Sequence, residues 1–286
     1  MLQKASTLHV DTVCMDLEDA VAHNQKEAAR GFVVDALNSW KEARAERLVR
    51  INPIGSGLEL ADIESILAAR ILPDGLVVPK VESAAQLEWV DAQLVRILGA
   101  DRAKDLILIA LIESVEGMIN IGEISRASKR LRAFIFGADD YRASVGAIKT
   151  RSNHEVSHAR NIVLMHAKAR GLDAIDLVQT DFSDLSIIER EAREGFELGY
   201  TGKQIIHPKQ IAPVQKSFSP DPASVEWATK VVAEAEKQAS QGVGAFTVDG
   251  QMVDRPLILK AQQIVGRAKQ CAESDKPAAA GAANSA

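Results

Sequence analysis

Short apolar runs and amphipathic segments alternate along nearly the whole chain. Leu106 to Ile112 and Ala133 to Phe136 are almost wholly apolar, too continuous for strands with one wet face, and so predict strands of a parallel sheet covered on both sides. The same pattern places strands at Thr12 to Leu17, Arg47 to Ile51, Gly75 to Val78, Ala174 to Val178 and Lys203 to Ile206. Between them it predicts helices over Gln25 to Arg44, Leu58 to Arg70, Ala84 to Leu98, Gly117 to Arg130, Asn153 to Arg170 and Asp184 to Leu198. Seven strands alternating with helices predict an α/β fold, a TIM-type (βα)8 barrel whose first strand would precede Met1. An open doubly wound sheet, which tolerates any strand number, is the alternative. The barrel is expected over residues 1–218. A C-terminal arm or lid follows over 219–272, with a helix from Pro222 to Gln238, turns at Gly242, Gly244 and Gly250, and a last helix from Leu257 to Lys269. The stretch 273–286 is small and polar and predicts a disordered tail.

This architecture decides where chemistry belongs. Glu113 follows the first of the two apolar runs, and Asp139 and Asp140 follow the second. Right-handed crossovers lay successive parallel strands side by side, so Glu113 and Asp140 are expected at one C-terminal sheet edge, where such folds keep their sites. Two carboxylates there repel unless a proton or cation intervenes, and their most economical use is to hold a divalent metal. Mg²⁺ typically takes one or two protein carboxylates and leaves its other positions to water and substrate oxygens. Asp139 would point the other way. Glu18 and Asp19, in "DLED", either orient metal-bound waters or cap a helix. Arg50, in "LVRIN", either donates to a carboxylate or enolate oxygen or forms an internal ion pair with "DLED". "HEVSH", His154 to His158, matches the H-E-x-x-H zinc pattern, but it falls on a predicted outer helix with no third ligand and reads as a chance match.

Composition narrows the classes further. The 286 residues carry 34 basic and 39 acidic side chains, a formal charge of −5, with no basic block to follow a phosphate backbone; no nucleic acid is expected as partner. No apolar run reaches membrane-spanning length. Two distant cysteines, Cys14 and Cys271, suit a reducing compartment and give no disulfide framework. Met1 to Val10 does not read as a leader or presequence.

The motifs "DLEDAV", "VRIN", "VVPKVES", "IES", "FGADDYRASVGA", "AIDLVQTDF", "GYTGKQIIHPKQI" and "GAFTVDGQMVDRPL" occur in order from Val10 to about Ala268. Together they resemble the citrate lyase β-subunit-like family of the HpcH/HpaI aldolase superfamily, and within it the citramalyl-CoA lyase branch. The resemblance implies a Mg²⁺-dependent carbon–carbon lyase that cleaves citramalyl-CoA to pyruvate and acetyl-CoA, with malate synthase-like activity in reverse. It also implies a homotrimer with the arm reaching a neighbouring site. By that resemblance Glu113 and Asp140 are the metal ligands, Arg50 stabilises the developing enolate, and Asp254 is the catalytic acid/base; from sequence alone Asp254 is a turn residue before Pro256. Lys4, Ile206 and His207 match positions that contact CoA, although an apolar Ile206 serves a structural role equally well. The family's first strand, with its "VPG"-like end, has no counterpart in this chain. Relatives place the protein in the mitochondrion of a eukaryote or the cytoplasm of a bacterium. Malyl-CoA or another hydroxyacyl-CoA is the alternative substrate, and a truncated or degenerate barrel acting only within an assembly is the non-enzymatic alternative.

Overall fold

The computed structural model describes residues 2–40, 44–240, 242 and 244–274. It divides into two compact units, Met1–Val214 and Gln215–Ala286. The first unit is built on one curled sheet of seven strands in sequential order, every neighbouring pair parallel. The strands are β1 (Thr12–Asp16), β2 (Glu46–Arg50), β3 (Gly75–Val78), β4 (Ile107–Ile112), β5 (Leu131–Phe136), β6 (Asp173–Asp176) and β7 (Gly202–Lys203). Among the described residues β1 and β7 are its two edges, so the sheet is an open half-barrel rather than a closed ring.

Alternation along the strands makes two apolar faces. Leu48, Val77, Ile109, Leu111, Ala133 and Ile135 form one cluster, with Ile107 and Ile175 packed on it. The intervening Val49, Leu76, Val78, Leu108, Ala110, Ile112, Phe134 and Phe136 expose no surface at all. Neither face is wet, which is why these strands read as continuous apolar runs. Helices Lys26–Ser39, Glu59–Leu67, Ala84–Leu98, Val115–Ile124, Ser157–Ala169 and Leu185–Leu198 supply the crossovers. Caps set their starts. Ser83 and Gln86 make a reciprocal capping box, and Ser114 accepts from the Gly117 N–H at 3.1 Å. The second cap, one residue after Glu113, begins a helix at Val115 and so fixes where that carboxylate leaves the strand.

Several boundaries differ from those the sequence predicts. The helix expected over Gly117 to Arg130 ends at Ile124, because "SRASK" offers no apolar face to continue it. The helix expected to begin at Asn153 is interrupted. Asn153 adopts a left-handed backbone, a 3₁₀ turn spans His154–Val156, and the α-helix proper begins at Ser157. The strand expected from Lys203 to Ile206 is only Gly202–Lys203. Two short helices, Ala138–Val145 and Ile211–Phe218, were not expected.

In the second unit, helices Pro222–Ser240 and Arg255–Ser274 flank an antiparallel hairpin, β8 (Phe246–Val248) and β9 (Gln251–Val253). Asp249 and Gly250 turn it with φ of 49° and 81°. Ala228, Val231, Val248, Val253 and Ala261 form its core. Glu273 and Ser274 close the last helix, and residues 275–286 of the expected tail lie outside the described residues.

Candidate active site

The polar side chains at the C-terminal edge of β1 to β5 converge because the register makes them converge. Asp16 and Arg50 are opposite each other in the β1–β2 pairing. Arg50 Nε donates to Asp16 Oδ1 at 2.7 Å and Nη2 to Oδ2 at 2.6 Å, a two-pronged pair. Burial works against the Asp16 charge, yet this fork and the N–H groups of Glu18 and Ala20 hold its carboxyl below the usual range. The capping of the "DLED" turn therefore belongs to Asp16, not to Glu18 or Asp19. The internal ion pair is present as well. Arg50 Nη1 lies 3.0 Å from Glu18 Oε2. The alignment is not that of a hydrogen bond, and Glu18 Oε2 is a buried oxygen without a hydrogen-bond donor.

Lys80, just past β3, ties this cluster to Glu113. Its ammonium donates to Glu18 Oε1 at 2.7 Å and lies 3.5 Å from Asp19 Oδ1. Its backbone N–H donates to Glu113 Oε1 at 2.7 Å. To make both contacts it adopts φ of 51°, a left-handed conformation that costs a non-glycine residue on the order of 1 kcal/mol. Glu113 is 4% exposed. Its carboxylate packs so closely on Gly137 that a Cβ at that position would collide with it. Burial first, and then the like charge of Asp140, push the Glu113 carboxyl up to about 8. Burial also raises Glu18, against the pull of Lys80 and Arg50. Asp140 lies in the first turn of Ala138–Val145 and, among the described residues, its carboxylate has no hydrogen bond or ion pair.

Two carboxylates that repel, one of them without a partner, and a buried orphan oxygen beside them make an all-oxygen, electron-rich cradle. Such a set suits a hard divalent cation that needs one or two protein ligands. Among the described residues no group of three or more His, Cys, Asp or Glu is disposed to hold a metal, so an all-protein cage of the zinc type is not present there. His154 is exposed, its Nδ1 meeting Thr150 and Ser152, while Glu155 is taken by Arg142 and Thr150. "HEVSH" is a structural turn.

A model of the HpcH/HpaI aldolase/citrate lyase family matches residues 1–208. The chain belongs to that family. It is a lyase. It is similar to the mitochondrial citramalyl-CoA lyase of Rattus norvegicus, 38% identical over 92% of this chain and 81% of that protein. It is also similar to the citrate lyase β subunit of Leuconostoc mesenteroides subsp. cremoris, 33% identical over 93% and 88%. The structure of CitE from Mycobacterium tuberculosis in complex with magnesium, acetoacetate and coenzyme A superposes with a TM-score of 0.75, at 30% identity over 91% of each chain.

In this family member the remaining candidates are dispersed. Ile206 and His207 follow β7 on the same sheet edge; Ile206 is 55% exposed, and the His207 ring stacks on Phe182 with centroids 4.5 Å apart. Lys4 is exposed on the short helix Leu2–Ala5. Asp254 belongs to the second unit, where its carboxylate accepts from the Leu257 N–H at 3.4 Å and caps the last helix, with Pro256 in the first turn. Asp139 bonds Arg142 and Lys149. Sequence reasoning missed Lys80, although "VVPKVES" puts it at the end of a buried strand on the same edge as Glu113; that position was the available signal.

Proposed function

We propose that the chain is a Mg²⁺-dependent carbon–carbon lyase that cleaves citramalyl-CoA to pyruvate and acetyl-CoA. The observation that carries this reading is the pairing of buried Glu113, raised to about 8, with unpartnered Asp140 just past the ends of adjacent strands, next to the fixed cation Arg50. Glu113 and Asp140 would hold the ion. When bound, Mg²⁺ supplies a Lewis acid for the carboxylate and tertiary hydroxyl of the pyruvate half. The half-barrel edge orients the thioester through Ile206 and His207, with Lys4 as a further CoA contact. Arg50 is locked by Asp16 through Nε and Nη2, and Nη1, 3.0 Å from Glu18 but without a hydrogen bond to it, is the donor left for the oxygen that gains charge when the bond breaks. Glu18, anchored by Lys80, holds that guanidinium from its other side. Asp19, on the exposed flank of Lys80, orients water toward the cation. Asp254 supplies the proton to the enolate carbon from the C-terminal arm of a neighbouring copy in a homotrimer, and condensation in the reverse direction, followed by hydrolysis of the thioester by water, gives malate synthase-like activity.

A related (3S)-malyl-CoA thioesterase of Cereibacter sphaeroides, 33% identical over 95% of this chain, makes malyl-CoA the second substrate to try. Purified full-length protein with Mg²⁺ is expected to release pyruvate and acetyl-CoA from citramalyl-CoA faster than it cleaves malyl-CoA. Turnover of neither thioester sinks the reading, and faster cleavage of malyl-CoA moves the substrate. In a eukaryote the mitochondrial relatives support a mitochondrial protein, and in a bacterium the reading is a cytoplasmic one.

A further inference from the structure

One buried carboxylate takes no part in the chemistry above, yet hydrogen bonds lead from it to both ends of the site. Glu191, on the helix Leu185–Leu198, is 3% exposed. Its Oε1 accepts from Asn153 Nδ2 at 3.0 Å and from Gln179 Nε2 at 2.7 Å. Along the first arm, Asn153 Oδ1 accepts from Arg142 Nη2 at 2.6 Å, and Arg142 Nη1 donates to Asp139 at 2.7 Å. Arg142 and Asp139 lie on the short helix that carries Asp140. Along the second arm, the Gln179 carbonyl accepts from Gln210 Nε2 at 2.8 Å. Gln210 Oε1 in turn accepts the backbone N–H groups of Ile206 and His207 at 3.0 and 3.2 Å.

Support of the fold alone does not require this arrangement. Lys203, 3.4 Å from Oε2, already pairs the charge. Asn153 nonetheless adopts a buried left-handed backbone with φ of 55°, and in that conformation its amide bridges Arg142 and Glu191. Strain kept in this way belongs to segments whose position matters. A satisfied buried network fixes one geometry at each of its ends.

We propose that Glu191 is a positioning residue that sets the Asp140 helix and the Ile206–His207 backbone at the same time. The inference rests on the reading above, with the divalent ion at Glu113 and Asp140 and CoA at Ile206 and His207. Its test measures Mn²⁺ affinity by electron paramagnetic resonance and CoA affinity by calorimetry on the full chain, with thermal unfolding alongside. Glu191→Met is expected to weaken Mn²⁺ about tenfold, as loss of an outer partner of a metal site does, and CoA about fivefold, the equivalent of one hydrogen bond. Glu191→Gln, which keeps the accepting oxygen, is expected to recover most of both. Arg142→Lys, a point charge that cannot span its three acceptors, is expected to weaken Mn²⁺ alone, and Gln210→Ala to weaken CoA alone. Should Glu191→Met not fold, these two single-arm variants decide the matter. If each of them moves both affinities equally, or neither, the network is fold support and the proposal falls. If the wild type binds neither probe, the functional reading fails and takes this inference with it; if the wild type binds both and the variants match it, only this inference fails.

Discussion

Glu113 and Asp176 occupy equivalent places: each is a buried carboxylate at the C-terminal end of a parallel strand, β4 or β6, and each is seated against a glycine. A Cβ at Gly137 would strike Glu113, and one at Gly195 would strike Asp176. Their surroundings are opposite. Asp176 receives Arg160 Nε and Nη2 at 2.8 and 2.6 Å and the Leu177 N–H at 2.9 Å, so its charge is matched within the fold. Glu113 receives one backbone N–H, from Lys80, and faces a second carboxylate. The difference teaches where to look for chemistry: a buried acid whose charge the fold matches holds structure, and one whose charge the fold leaves unmatched is open to a cation that the chain does not supply.

Substitution breaks the comparison most sharply. Glu113→Gln is expected to lower lyase turnover by about a thousandfold or more, the several kcal/mol that a bound cation contributes, while the metal-free fold is retained. Asp176→Asn is expected to do the reverse. It leaves the Arg160 guanidinium, 3% exposed, with only Glu194 at 3.2 Å to match its charge, and should cost about 3 kcal/mol in urea unfolding. Turnover by Glu113→Gln near the wild-type level, or wild-type stability in Asp176→Asn, would erase the distinction. The two glycines give the next largest effect. Gly137→Ala should displace the Glu113 carboxylate and lower kcat/KM about a hundredfold, as a misplacement of about 1 Å does. Gly195→Ala should instead cost about 1–3 kcal/mol of stability by overpacking. A loss of stability from Gly137→Ala with kcat/KM intact would show that Glu113 tolerates movement.

The sequence carries much of this. The alternation of apolar runs located all seven strands of the sheet, and it put Glu113 and Asp140 after neighbouring ones because a crossover helix visibly separates them. It could not show that Asp176, an acid within the run Ala174 to Val178, is matched and Glu113 is not, since the guanidinium that matches Asp176 comes from another element, the helix Ser157–Ala169. Lys80 escaped for the same reason. Nothing local favours φ of 51° in "VVPKVES"; the conformation is held by contacts with Glu18 and Glu113, both distant in sequence. Arg50 remained ambiguous between a substrate donor and an ion-pair partner. The structure gives it a two-pronged hydrogen-bonded pair with Asp16 through Nε and Nη2 and an ion pair with Glu18 through Nη1, a division that spacing along the chain cannot express.

The pH dependence is the smallest effect and sharpens the contrast furthest. Burial and Asp140 raise the Glu113 carboxyl from 4.5 to about 8. Between those values the metal-free fold keeps a proton that the unfolded chain has released, so its stability falls as pH rises through that window. A cation needs the ionised form. Binding must therefore expel the proton, and Mn²⁺ affinity should drop about fivefold between pH 8 and pH 7. The two slopes have opposite signs and one origin. Urea unfolding of the metal-free protein should show stability decreasing from pH 6 toward pH 8, and Glu113→Gln should flatten that slope; saturation with Mg²⁺ should flatten it too, because Glu113 is then ionised in the bound and the unfolded states alike. A metal-free stability that does not fall with pH there would mean that Glu113 is already ionised within the fold, and would remove the reason for placing the cation beside it.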